Sequence, residues 1–147
     1  MERWSCLRGG NLLLNVGPKA EGTIPAESEA ILGAVGAWLK MNKAAYESSE
    51  RHPFTWNNTG EPITVKGNKV YITFLRDPKG FFRWAELENK CLAAKWVDDD
   101  SPVEFEQRDG LLFLKNLVWR APGRIVELTV DGRPETLSPQ TTFWIPE

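Results

Sequence analysis

Residues 9–25 read GGNLLLNVGPKAEGTIP, and this stretch decides how the chain must fold. An apolar run, Leu12-Leu13-Leu14, lies between Asn11 and Asn15 and stops at Gly17-Pro18. A run without polar alternation suits a strand covered on both faces, as in a parallel sheet sheathed by helices. Gly17 admits unusual backbone angles and Pro18 cannot continue a strand interior, so the strand should end there. A polar loop, 19–23, then leads to Ile24 and Pro25, where a helix can begin.

From residue 25 to about residue 43 the spacing predicts that helix. Ile31, Leu32, Val35, Trp38 and Leu39 recur at steps of three and four and form one apolar stripe. Pro25 suits the first turn, where its missing N–H costs nothing. Glu27 and Glu29 sit near the positive end of the helix dipole, and Lys40 and Lys43 near its negative end. Gly33 and Gly36 each lower helicity by about 1 kcal/mol, which suggests a neighbour packed closely against them. A short second helical turn, 43–46, should follow Asn42. Strand plus helix is half of a βαβ unit, and the strand's backbone donors and acceptors need partners that this segment does not contain. Residues 9–43 therefore read as a piece of something larger.

The ten residues Gly9-Gly10-Asn11-Leu12-Leu13-Leu14-Asn15-Val16-Gly17-Pro18, followed by Gly22-Thr23-Ile24-Pro25 and then Trp38-Leu39 and Asn42, closely resemble a segment of the α-L-fucosidases of glycoside hydrolase family 29. In that family the segment is the last strand and helix of a (β/α)8-like catalytic barrel, and a C-terminal β-sandwich follows. The resemblance implies an α+β composite with two parts. Residues 1–50 would be the terminal strand–helix remnant of the barrel, and residues 51–147 an antiparallel β-sandwich.

The residues beyond 50 support a sandwich on their own terms. Stretches 63–66 and 69–75 flank Gly67-Asn68, a two-residue hairpin signal, and 103–107 and 111–117 flank Arg108-Asp109-Gly110, another. Residues 81–84, 92–97 and 124–130 supply further short strands. In the last of these Val126, Leu128 and Val130 alternate with Glu127 and Thr129, as a half-buried edge would. Six to eight short strands with regular turns predict two packed antiparallel sheets. Pro53-Phe54-Thr55-Trp56, the 66–71 hairpin and Ser101-Pro102-Val103 also resemble the family's C-terminal domain. Phe143-Trp144 in the proline-spaced tail should pack back on it.

Composition excludes several function classes. At 41% hydrophobic and 26% charged residues the chain is ordinary for a folded globular protein, so disorder over most of its length is not expected. Its net charge of -2 and the lack of a dense basic run argue against nucleic acid as a partner. No apolar run approaches the ~20 residues that span a membrane. Cys6 and Cys91 have no CxxC spacing, which fits neither a zinc site nor a disulfide scaffold and leaves a single bridge open.

Retaining glycoside hydrolysis needs two carboxyl groups roughly 5 Å apart, one as nucleophile and one as acid/base. The resemblance implies that the nucleophilic Asp and the acid/base Glu come from earlier barrel strands and loops, and that the histidines and tryptophan gripping fucose also lie upstream. No catalytic residue, cofactor or metal is therefore expected in this chain, which alone should be inactive. Asp98-Asp99-Asp100 is the acidic cluster, read as a solvated turn in preference to a calcium or catalytic site. His52, the sole histidine, has no second His or Cys beside it to make a metal site. Asn15 stands at the carboxyl end of the expected strand, where barrel side chains face the active-site mouth. It either lines the fucose pocket of an intact barrel or, with Asn11, braces the backbone at the Gly-Pro turn.

The parent reaction would be hydrolysis of terminal α-L-fucose from fucosylated glycans, in a secreted, periplasmic or degradative setting that the resemblance does not choose among. Two alternatives stay open. One is a stand-alone carbohydrate-binding module using Trp56, Trp84, Trp96 or Trp119 as its platform, since aromatic faces pack on pyranose C–H faces. The other is a sandwich that mediates oligomer contacts.

Overall fold

The computed structural model describes residues 13–47, 49–50, 52–54 and 60–137. Among these residues two helices come first, α1 (Ala26–Met41) and α2 (Lys43–Tyr46). Seven strands follow: β1 (Ile63–Lys66), β2 (Lys69–Phe74), β3 (Phe81–Trp84), β4 (Cys91–Trp96), β5 (Glu104–Arg108), β6 (Leu111–Lys115) and β7 (Arg124–Val130). All pairings are antiparallel. They form a four-stranded sheet, β1-β2-β7-β4, and a three-stranded sheet, β3-β6-β5.

Period-two alternation directs one face of each sheet inward. Val70, Ile72 and Phe74 of β2 and Val126, Leu128 and Val130 of β7 meet Phe82 and Trp84 of β3 and Leu112 and Leu114 of β6 in one buried cluster. Edge-on aromatic contacts cross this core, with Phe74 5.1 Å from Phe82 and Phe54 4.6 Å from Trp84 between ring centroids. The hairpins close as their residues dictate. Asp109 and Gly110 take φ of 51° and 73°, the pair of positive angles that matches the strand twist, and Gly67 takes 59°.

β7 is not the half-buried edge that its alternation suggests. It is a central strand between β2 and β4, and six of its seven residues are buried. The outer face of the four-stranded sheet is covered too. Ala45 of α2 packs there on Tyr71 and Ile125, with Trp38, Tyr46 and Val97 around them. Polar contacts fix this layer. Thr64 donates its hydroxyl to the Ala45 carbonyl at 2.6 Å, and Trp38 Nε1–H donates to the Gly123 carbonyl at 2.8 Å.

Two expectations for the first fifty residues change. Leu13 and Leu14 form no strand; Leu13 is 90% exposed and Leu14 half exposed. A strand exists only through pairing, and none of the described residues pairs with them. Helix α1 forms almost as expected, but none of its residues is buried. Ile31, Val35 and Leu39 face outward, and among the described residues no other element comes within 4 Å of a Cβ built on Gly33 or Gly36, so the expected close neighbour is not met there. The 43–46 turn is helical as predicted. Cys6, Trp56 and the Phe143-Trp144 pair lie outside the described residues, and the Cys91 thiol is free.

Leu128 is fully buried in the middle of the central strand. Leu128→Ala should cost about 2–5 kcal/mol, read as a lower urea midpoint at unchanged slope. A loss below about 1 kcal/mol would place the core elsewhere.

Candidate functional site

The acidic turn after β4 is organised by one cation. Arg124, the first residue of β7, is buried, and its guanidinium lies 4.0 Å over the Trp96 ring. Its Nε and Nη2 grip both oxygens of Asp98 at 2.6–3.1 Å, and Nη2 also reaches Asp99 at 2.8 Å. Nη1 donates to the Val118 carbonyl at 2.7 Å. Arg120 adds a second cation to Asp99 at 3.3 Å, and Lys95 holds Asp100 at 2.6 Å. The reading of these residues as a turn holds, but they are ion-paired rather than merely solvated. No group of three or more metal-ligating side chains gathers among the described residues.

Charge balance decides what this cluster can do. The Ser101 hydroxyl and N–H both bond to Asp99 and hold its carboxyl below the usual range, with Arg124 and Arg120 reinforcing them. Asp77 and Glu106 are also held low, first by hydrogen bonds from Lys79 and Lys115 respectively. An acid/base partner needs the opposite shift, towards a protonated carboxyl near neutral pH. Asp98 and Asp99 are thus a neutralised clamp that joins β7 to the end of β4.

The other residues singled out from sequence do not converge. Asn15 is exposed, next to the Gly17-Pro18 turn. Asn11 lies outside the described residues. His52 stacks on Phe54 with centroids 5.8 Å apart. Trp84 and Trp96 are core residues, and half-buried Trp119 donates its indole N–H to the Phe74 carbonyl at 2.8 Å. Trp84 and Trp96, being buried, present no open face to a sugar ring.

A groove of about 470 Å3 opens beside β4 and β5, lined by Leu87, Cys91, Phe105 and Leu137 with Lys90 and Arg108 among its polar residues. Burial pushes the Cys91 thiol up to about 11, which makes it a poor nucleophile at neutral pH. Gln107 spans the wall, accepting from the Cys91 N–H and donating to the Asn89 carbonyl, both at 2.8 Å. Only the shape of this groove, and not any motif, identifies it.

Arg124→Ala should cost roughly 3–5 kcal/mol, because it strands the Asp98 carboxylate in a mostly buried position. Asp99, held low in the folded state, contributes stability that is complete above its unfolded value near pH ~3.9 and is lost as pH falls through the lower folded value. Ser101→Ala should move the Asp99 midpoint upward in a carboxyl NMR titration; an unchanged midpoint would remove Ser101 as the main cause.

The family profile for Alpha-L-fucosidase matches residues 5–44. Plasma alpha-L-fucosidase of Rattus norvegicus is 42% identical over 137 residues, covering 92% of this chain and 24% of the relative. The structure of alpha-L-fucosidase isoenzyme 1 from Paenibacillus thiaminolyticus superposes with TM-score 0.76 at 28% identity, over 88% of this chain and 32% of that one. Alpha-L-fucosidase from Vibrio sp. strain EJY3 gives TM-score 0.79 at 25% identity, over 92% and 25%. The chain thus spans about a quarter of the length of the rat relative. Sequence and fold agree that its resemblance is to the α-L-fucosidases.

Proposed function

We propose that the chain is the C-terminal part of a glycoside hydrolase of α-L-fucosidase type. Residues 1–50 act as the closing strand and helix of its (β/α)8-like barrel, and residues 51–147 as its accessory sandwich. The whole enzyme removes terminal α-L-fucose from glycans with retention, its nucleophile and acid/base contributed by upstream barrel strands. This chain supplies architecture. One observation carries the reading: α1 is fastened to the sandwich near its C-terminal end through Trp38, while Ile31, Val35 and Leu39 stay uncovered. An amphipathic helix ordinarily packs such a stripe against another element. A barrel strand drawn from 12–14, paired on both sides by its neighbours, would lie under it.

Two measurements test this. The purified chain should not turn over 4-nitrophenyl α-L-fucopyranoside, whereas the same chain joined behind a fucosidase barrel that lacks its own C-terminal part should do so. In the joined enzyme Val35→Asp should abolish assembly, and Asn15→Ala should lower kcat/KM about tenfold if its amide holds the sugar. Turnover by the chain alone, or a joined enzyme indifferent to Val35→Asp, would overturn the reading. Unchanged kcat and KM in Asn15→Ala would remove Asn15 from the pocket.

A further inference from the structure

The outer face of the three-stranded sheet has no element packed on it among the described residues. Register sets its side chains in rows. Phe81 lies opposite Lys115, which lies opposite Glu104; Arg83 lies opposite Phe113, which lies opposite Glu106. Phe81 is 50% exposed and its ring centroid is 6.0 Å from that of Phe113, tilted by 38°. The Arg108 guanidinium lies 5.2 Å over Phe113, which leaves Phe81 as the more open ring.

The charges on this face are unequally satisfied. Lys115 and Arg108 both engage Glu106, at 2.5 and 3.4 Å, and Asn116 donates to Glu104 at 2.6 Å. Arg83 is exposed, shares the face two residues from Phe81, and has no carboxylate partner among the described residues. Three cations against two carboxylates leave a surplus positive charge beside an open aromatic ring, on a chain whose net charge is -2.

We propose that this face binds an anionic saccharide. The C–H face of a pyranose packs on Phe81, and its carboxylate or sulfate is received by Arg83, whose planar fork matches an oxyanion in two-point contact. Charge complementarity selects this occupant. A neutral sugar leaves Arg83 unanswered, and an apolar protein surface would have to bury it without a counter-ion. The inference does not depend on the proposed parent reaction, because it concerns binding by the chain itself.

The test is a 1H–15N NMR titration of the whole chain with 3′-sialyllactose and with a chondroitin 4-sulfate tetrasaccharide, and with lactose as the neutral control. At least one acidic saccharide should saturate shifts confined to β3 and β6 and to the Arg83 side chain, about tenfold more tightly than lactose. Phe81→Ala and Arg83→Gln should each weaken it roughly fivefold or more, with thermal midpoints unchanged because both side chains are at the surface. Arg83→Lys, keeping charge without the fork, should fall between. The proposal is overturned if neither saccharide binds, if lactose binds equally well, if the shifts map elsewhere, or if Arg83→Gln binds undiminished.

Discussion

The four-stranded sheet is covered on both faces, and the rest of the molecule follows from that requirement. Its inner face closes on the three-stranded sheet through Val126, Leu128 and Val130. Its outer face lies under α2, with Ile125 and Tyr71 against Ala45. β7 therefore belongs to two packing layers at once. Glu127 can sit in the outer layer, although buried, because Lys69 contacts it at 2.6 Å and Lys95 lies 4.0 Å away. The neighbouring carboxylate and burial raise the Tyr71 hydroxyl to about 12, burial being the larger cause, so this phenol stays neutral through the physiological range. Removing the outer layer would expose these groups together.

The Arg124 clamp ties the layers at one end. It joins the start of β7 to the turn after β4 and stacks on Trp96, a core residue of the inner layer. Beside it, the Gly123 carbonyl accepts the Trp38 indole N–H from α1. A side chain at Gly123 would stand 3.1 Å from the Phe74 carbonyl, so the chain needs glycine where the helix, β2 and β7 converge. The C-terminal end of α1 is thus held by the sandwich through Trp38 while Ile31, Val35 and Leu39 are exposed. The proposed division of labour rests on this asymmetry.

Most of the sandwich was legible because its signals are local. Gly67-Asn68 and Asp109-Gly110 specify hairpins within a few residues, and the bounds of 81–84 and 124–130 match the observed strands. What could not be read depends on distant partners. Alternation in β7 indicated one buried face, but only the arrival of α2 and the two lysines buries the other. The leucines at 12–14 have the composition of a buried strand, yet composition supplies no pairing, and Leu13 and Leu14 are exposed. The tryptophans gave no sign of which were core, and the triple aspartate gave no sign that Arg124, 26 and 25 residues from Asp98 and Asp99, would neutralise those two. The open ring of Phe81 was hidden for the same reason, since exposure is set by what does not pack on it.

Among the described residues the two sheets close on each other, whereas Ile31, Val35 and Leu39 of α1 have no cover. Native-state hydrogen exchange on the whole chain tests this contrast most directly, because protection reports local opening separately from global unfolding. Amides of β7 should exchange only through global unfolding, and those of α1 from Ile31 to Val35 at least about a hundredfold faster through local opening. Equal protection of Ile31–Val35 and β7 would mean that the helix already has its full packing within this chain, and would contradict the account.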